Sequence, residues 1–158
     1  MAADFTGSKK EVAAVIRAFF EAGKNKDIPS LPTFHSDFES FTKFDENPPY
    51  TRQNSEEAFM YEQAAFANIS DYEYQIDALR IDLFGDTSVA TFYLMYKGMF
   101  VNDYSFEGSP VSSKARVTMV LRRGPQGWRI AHEHFSKFPE RVGGDRKSSE
   151  SSPPRPAP

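Results

Sequence analysis

Hydrophobic residues are spaced differently in the two halves of this chain. In the first half they recur every three or four residues, as in amphipathic helices packed on a core. This spacing predicts a helix over 9–23, preceded by a capping box of Ser8 and Glu11. It also predicts a second helix that Asn54 caps and that runs to Phe66. The predicted buried side of the second helix consists of Ala58, Phe59, Tyr61, Ala64, Ala65 and Phe66.

In the second half, apolar and polar residues alternate, which is typical of strands with one buried face. The alternation predicts strands at 72–83, 88–101, 116–123 and 128–137, and a short aromatic strand is predicted earlier, at 38–44. Helices followed by a run of strands predict the α+β class. Because 88–101 is apolar on both faces, we expect a second copy of the chain to cover the open face of the sheet, giving a homodimer.

Composition divides the chain into one folded domain and a tail. The 158 residues include 15 Phe and 7 Tyr, so aromatic rings supply much of the predicted core. Residues 139–158 are rich in Pro and Ser and contain no aromatic residue, so they cannot bury enough apolar surface to fold. We therefore predict a folded domain over 1–138 and a disordered tail over 139–158.

Charge and motif content exclude several classes of function. The formal net charge of −3 argues against a nucleic acid partner, since phosphates require a basic surface. The absence of Cys excludes disulfide scaffolds, thiol nucleophiles and Cys-ligated zinc. No segment reads as a membrane span or a signal peptide, which predicts a cytoplasmic location and no membrane partner. No dinucleotide-binding or phosphate-binding loop is present, and no cofactor is predicted.

The last two predicted strands carry a recognisable signature. Residues 116–123 read RVTMVLRR and residues 127–136 read GWRIAHEHFS, a pair that resembles the SnoaL-like, ketosteroid-isomerase-like family. The loop DENPPY at 45–50 resembles the D-x-x-P-P segment of that family. The resemblance implies a cone-shaped, nuclear-transport-factor-like (cystatin-like) fold, in which a curved antiparallel sheet wraps the N-terminal helices around a pocket. It also implies dimerisation through the outer sheet face and, in the enzymes, an inward acid that acts as the base.

Glu133 is one candidate acid. Strand alternation places it on the face opposite to His132 and His134. In a pocket, burial raises the pKa of such a carboxyl unless a cation pairs with it. Arg116, on the neighbouring strand, is the predicted cation and would suit a ligand with an anionic group. The Arg116–Glu133 pair can be structural, ligand-anchoring or catalytic.

His132 and His134 share one strand face, on which alternation also places Trp128 and Ile130. They can form hydrogen bonds across strands or at the dimer contact, or they can line a ligand site. A metal site would need a third ligand, for which His35 is the remaining histidine, and no metal is predicted.

Asp45 is the second candidate acid, because it precedes two prolines in the loop that resembles the family segment. It either caps the turn or acts as a general base at the pocket rim. Tyr93 is the predicted catalytic donor to an oxyanion. The remaining predicted ligand-binding residues are Phe19, Phe41, Tyr50, Tyr61, Thr118 and Phe135.

Two classes of function remain open. The first is a cofactor-independent isomerase, cyclase or hydrolase that uses acid–base catalysis on a small, largely apolar substrate. In that case Asp45 or Glu133 is the base, and Tyr93 or Arg116 stabilises negative charge. The second is a non-catalytic ligand-binding protein or dimeric association module of the same fold. The acids form no recognisable catalytic constellation, so the sequence does not decide whether the protein is an enzyme.

Overall fold

The described residues form two α-helices, a 3-10 helix and one curved sheet. The computed structural model describes residues 5–36, 40–101 and 107–139. Helix α1 spans Gly7–Lys24, the 3-10 helix spans Ile28–Phe34 and helix α2 spans Ser55–Asn68. The strands are β1 Thr42–Phe44, β2 Ile69–Phe84, β3 Thr87–Val101, β4 Gly108–Gly124 and β5 Gly127–Lys137. The α+β class predicted from the sequence is confirmed.

The strands form one open sheet in the order β1-β5-β4-β3-β2. Strands β2 to β5 pair antiparallel, whereas β1 runs parallel to β5 at the sheet edge. Two register shifts in β2 lie at Asp71 and Ala78, and both residues have a φ of 53°. Such irregularities bend a strand and increase its twist, so they help the sheet to curl around the helices.

Helix α1 fills the concave side of the sheet. Its residues Val12, Ile16 and Phe19 are buried and follow the predicted helical spacing. They belong to one hydrophobic cluster with inward residues of the strands, including Ile81 and Phe92. The helical pattern therefore correctly identified the face of α1 that packs on the sheet.

The start of α2 agrees with the sequence pattern and the start of α1 does not. The side-chain oxygen of Asn54 accepts the backbone N–H of Glu57 at 2.9 Å and caps α2. Helix α1 begins before the predicted capping box, with Thr6 at its N-cap and no side-chain cap. Ser8 therefore lies inside the helix, and the predicted Ser8–Glu11 box is wrong.

The buried side of α2 matches the prediction only in part, since Ala58 is buried and Phe59 and Phe66 pack against the core. Its buried residues are Ala58 and Glu62, while Tyr61, Ala64 and Ala65 are exposed. The helix therefore turns a carboxylate, and not a continuous apolar stripe, toward the interior.

Some predicted boundaries are also corrected. β4 begins at Gly108, not at residue 116, and β1 covers only three residues of the predicted strand at 38–44. Residues 38 and 39 of that strand, and all of the predicted tail except residue 139, lie outside the described residues. Within the described ranges, neither helix has the length and apolar character needed to cross a membrane.

Candidate functional site

An extra residue in β5 decides which of its side chains face the interior. The register between β4 and β5 shifts at Ala131, which has no partner residue on β4. After this extra residue the inward-facing positions of β5 are odd-numbered, whereas before it they are even-numbered. Ile130 and Glu133 are therefore both buried, although a regular strand would place them on opposite faces. For this reason the predicted grouping of Trp128 and Ile130 with His132 on one face is wrong.

Glu133 is fully buried and pairs with two cations. Its Oε1 lies 2.8 Å from Nε2 of His35, and its Oε2 lies 3.4 Å from Nζ of Lys43. Burial alone would raise the pKa of Glu133, but the charges of Lys43 and His35 outweigh it and lower the pKa to about 2. Glu133 is therefore a carboxylate whose negative charge is structurally paired.

The partners of His35 make it an imidazolium. Its Nδ1 lies 3.0 Å from the carbonyl oxygen of Leu31, which can only accept, so Nδ1 carries a proton. Its Nε2 faces the Glu133 carboxylate and donates to it. Burial lowers the pKa of His35, but the charge and hydrogen bond of Glu133 outweigh burial and raise it. His35 is therefore a buried cation and not a free base.

Lys43 and Glu62 complete what we call the buried charge cluster, formed by His35, Lys43, Glu62 and Glu133. Lys43 Nζ donates to Oε1 of Glu62 at 3.1 Å, and the same oxygen lies 3.8 Å from Nε2 of His35. Lys43 reaches Glu133 because the parallel pairing of β1 and β5 places the two residues side by side. Every group of the cluster has a charged or hydrogen-bonding partner, which allows all four to lie in the interior.

A cavity of about 160 Å³ lies between the two helices and the inner face of the sheet. Lys43 and Glu62 form part of its wall, so the buried charge cluster reaches the cavity. Much of the remaining wall is aromatic or aliphatic and includes Phe19, Phe20, Phe66, Tyr72, Leu94 and Phe135. Apolar cavities of roughly 150 Å³ hold a benzene-sized molecule, so this cavity accommodates a single ring.

Glu46 is a further acid in the cavity wall. Tyr96 donates a hydrogen bond to its Oε1 at 3.1 Å, whereas its Oε2 is buried and has no hydrogen-bond partner among the described residues. Burial raises the pKa of Glu46, and the hydrogen bond from Tyr96 offsets only part of this. Burial and the Glu46 charge raise the pKa of Tyr96 to about 12. Glu46 thus has a buried carboxyl oxygen without a described hydrogen-bond partner, and its side chain lines a cavity large enough for a small ligand.

Three of the predicted site residues lie on the outer face of the sheet, away from this cavity: Tyr93, Arg116 and Thr118. Arg116 is exposed, is in register with Ser136 and donates from Nε to its hydroxyl at 3.1 Å. The predicted Arg116–Glu133 pair is wrong, because the two side chains point to opposite faces. Tyr93 is in register with Arg116 and is 39% exposed, so it donates to no oxyanion in the cavity.

His132 and His134 also lie on the outer face. Nδ1 of His132 forms a 2.8 Å hydrogen bond with the hydroxyl of Thr42, and the ring of His134 lies 5.5 Å from that of Phe44. Burial lowers the pKa of His132, which favours the neutral ring. His35 lies inside the sheet, so the three histidines do not converge on one metal ion.

The structure brings part of the predicted pocket wall together. Residues Phe19, Asp45, Tyr61 and Phe135 line the 160 Å³ cavity. Asp45 Oδ1 accepts the backbone N–H of Glu46 at 2.7 Å, which matches the turn-capping alternative. Tyr50 is 63% exposed beside β1, and Phe41 lines a second cavity.

Three groups of the buried charge cluster are of the type that binds metals. The ligand atoms of His35, Glu62 and Glu133 lie within 4.8 Å of one another. However, Lys43 Nζ lies within 3.4 Å of both carboxylates and already supplies a cation there. A metal would have to displace this ammonium group and deprotonate His35, so the arrangement fits a charge cluster better than a metal site.

Sequence reasoning did not assign a role to several residues of the site: Lys43, Glu46, Glu62 and Tyr96, and His35 as the partner of Glu133. The sequence does indicate that Glu62 faces the interior, because it lies four residues after Ala58 and four before Phe66, on the same helix face. For Glu46 the sequence offers no signal that separates it from the adjacent Asp45. Its role depends on the side chain of Tyr96, 50 residues away in the chain.

Comparisons with known proteins agree with this architecture. The family model for the SnoaL-like domain matches residues 12–140. A nuclear transport factor 2-like superfamily protein from Salmonella enterica serovar Typhimurium is 20% identical, with a TM-score of 0.70 over 86% of this chain and 94% of that one. A proposed dehydratase of the same broad family from Streptomyces avermitilis is 18% identical, with a TM-score of 0.70 over 83% of this chain and 96% of that one.

A proposed aromatic ring hydroxylase from Novosphingobium aromaticivorans is also similar, with 18% identity and a TM-score of 0.71 over 84% of this chain and 90% of that one. No curated protein matches the chain. At such low identities the solved structures establish the fold and leave the activity open. The family match over most of the chain, together with the curved sheet and its internal cavity, shows that this protein belongs to the SnoaL-like family.

Proposed function

We propose that the protein is a cofactor-independent acid–base enzyme that moves a proton within a small, largely apolar substrate. The observation that carries the proposal is the buried Oε2 of Glu46, which accepts no hydrogen bond from the described residues. Glu46 lines the 160 Å³ cavity, and burial raises its pKa. General bases work best when their pKa approaches the working pH, so a desolvated carboxyl at a ligand cavity suits proton transfer.

The cavity supports a substrate with one ring and no charge. Its volume matches a benzene-sized molecule, and most of its wall is aromatic or aliphatic. The sequence analysis expected Arg116 to bind an anionic group of the ligand. Arg116 lies on the outer face of the sheet, so it does not supply a cation for such a group in the cavity. The remaining cation in the described cavity wall, Lys43, is paired with the Glu133 carboxylate and donates a hydrogen bond to Glu62.

Isomerisation of a β,γ-unsaturated ketone is a reaction that this arrangement can perform. Glu46 takes a proton from the carbon between the carbonyl and the double bond, giving a dienolate and a carboxylic acid. A proton added at the far end of the dienolate then yields the conjugated ketone. Tyr72 lines the same cavity and keeps its phenolic proton because burial raises its pKa, so it can donate to the dienolate oxygen.

The test is turnover of a β,γ-unsaturated cyclohexenone, followed by the ultraviolet absorbance of the conjugated product. We expect the single-ring ketone to be isomerised and a two-ring analogue to react much more slowly, since the cavity holds only one ring. A thermal shift with both ketones measures binding separately. Ligands that bind tightly and are recovered unchanged would instead favour the non-catalytic binding protein.

We also propose that the protein forms a homodimer through the outer face of the sheet. Support comes from two exposed aromatic side chains on this face, Tyr93 and Phe138, which are each 39% exposed and whose rings lie 5.7 Å apart. Light scattering at micromolar concentration should give twice the mass of one chain, and Tyr93→Glu should shift the protein toward monomer. A monomeric mass for the wild type would contradict the proposal.

A further inference from the structure

A second cavity lies on the other side of the buried charge cluster. It has a volume of about 260 Å³, and its described lining includes His35, Phe41, Ser55 and Phe59. Among the described residues, only Glu62 lines both this cavity and the 160 Å³ cavity. The two cavities therefore adjoin at Glu62, which forms part of the wall of each.

The Glu62 carboxyl itself lies at this shared wall. Its Oε1 is 3.1 Å from Nζ of Lys43, which lines the first cavity, and 3.8 Å from Nε2 of His35, which lines the second. The side chain is only 5% exposed. A proton can therefore reach Glu62 from solvent mainly by way of one of the two cavities.

We infer that Glu62 is the second proton-transfer residue of the site and that its proton is replaced through the second cavity. This inference rests on the proposed function, in which Glu46 removes the first proton. Glu62 then donates its own proton to the far end of the dienolate, and the conjugated ketone leaves. Glu46 is left protonated and Glu62 ionised. Glu46 releases one proton to solvent and Glu62 takes one from water in the second cavity, so the enzyme returns to its starting state.

The groups around Glu62 are consistent with a proton donor. Lys43 faces it from β1, Glu133 from β5 and His35 from the end of the 3-10 helix, while Glu56 of α2 lines the second cavity. Burial raises the pKa of Glu62, Lys43 lowers it and Glu133 raises it, with a raised pKa as the result. Glu62 therefore keeps its proton to a higher pH than an ordinary glutamate does.

The experiment is turnover of the β,γ-unsaturated cyclohexenone in D₂O, with the deuterium content of the product measured by mass spectrometry. If Glu46 alone carries the proton from one carbon to the other, the product retains the substrate hydrogen. If Glu62 donates, most product molecules carry one solvent deuterium at the far carbon. Glu62→Gln should lower kcat by about tenfold or more with little change in KM, and its residual product should retain the substrate hydrogen.

Two further variants separate a chemical role from a structural one. Ser55→Leu fills part of the second cavity without removing a charge, so it should lower the deuterium content of the product while the protein stays folded. Glu57→Gln is the matched control, because it makes the same exchange on the same helix at a residue outside the charge cluster and outside the described lining of both cavities. It should leave both kcat and deuterium content unchanged.

The possible results are distinguishable. No isomerisation by the wild type overturns the proposed function and this inference with it. Isomerisation with retained substrate hydrogen supports Glu46 as the base and overturns the role of Glu62. Deuterium incorporation that persists unchanged in Glu62→Gln, or in Ser55→Leu, also overturns the inference. Loss of deuterium in both variants supports it.

Discussion

Replacing Glu133 by Gln should lower the free energy of unfolding at pH 7 by about 3 kcal/mol. The side chain is fully buried between His35 and Lys43, so the variant removes the carboxylate that both interior cations contact. Breaking a buried pair costs 3–5 kcal/mol in general. We expect the lower end of that range because His35 can release its proton and reduce the excess positive charge.

The same substitution should change how stability depends on pH. The folded-state pKa of Glu133 is about 2, below its ordinary value of 4.5, so its contribution is present above about pH 5 and is lost as the pH falls toward 2. The raised pKa of His35 acts in the opposite direction, because its contribution is lost as the pH rises through that pKa. The free energy of unfolding of Glu133→Gln should therefore change less with pH than that of the wild type, in both the acid and the alkaline range.

Urea denaturation at several pH values measures both effects. Glu73→Gln is a suitable control, since Glu73 forms an exposed ion pair with Lys97 at 3.3 Å and should change little. An unfolding midpoint for Glu133→Gln equal to that of the wild type at pH 7 would show that the buried charge cluster contributes no net stability.

Replacing Glu46 by Gln should lower kcat for the cyclohexenone by 10²–10⁴-fold, the usual contribution of a positioned general base. The amide keeps the shape of the carboxyl and can still accept from Tyr96, but it cannot take a proton. In the wild type, kcat/KM should rise with pH as Glu46 ionises, through a pKa above the ordinary value of 4.5. The variant should lack this rise.

Asp45→Asn tests which of the two neighbouring acids, Asp45 or Glu46, is the general base. Asp45 accepts the backbone N–H of Glu46, and an asparagine side-chain oxygen can still do so. We expect a much smaller loss of kcat than for Glu46→Gln, because the turn survives and the base is intact. A larger loss in Asp45→Asn than in Glu46→Gln would assign the catalytic role to Asp45, one of the two candidate acids of the sequence analysis.

The sequence was informative wherever the signal is local. Helical spacing identified the buried face of α1, and alternation identified the four long strands, because these periodicities arise from backbone geometry within each element. The signature in 116–136 identified the family. The same alternation failed at Ala131, because a single extra residue inverts the inside and outside of every position after it.

The sequence by itself therefore determined the α+β class, the order of the elements and an interior rich in aromatic side chains. Only the tertiary structure decided which acids face the cavity and which cations neutralise them. Glu133 meets His35 across 98 positions of the chain, and Lys43 meets Glu62 across 19. Such contacts depend on the parallel pairing of β1 with β5 and on the rotation of α2. Burial and charge pairing set the protonation of these groups. The chemistry of the site therefore depends on tertiary contacts, which hydrophobic periodicity in the sequence does not specify.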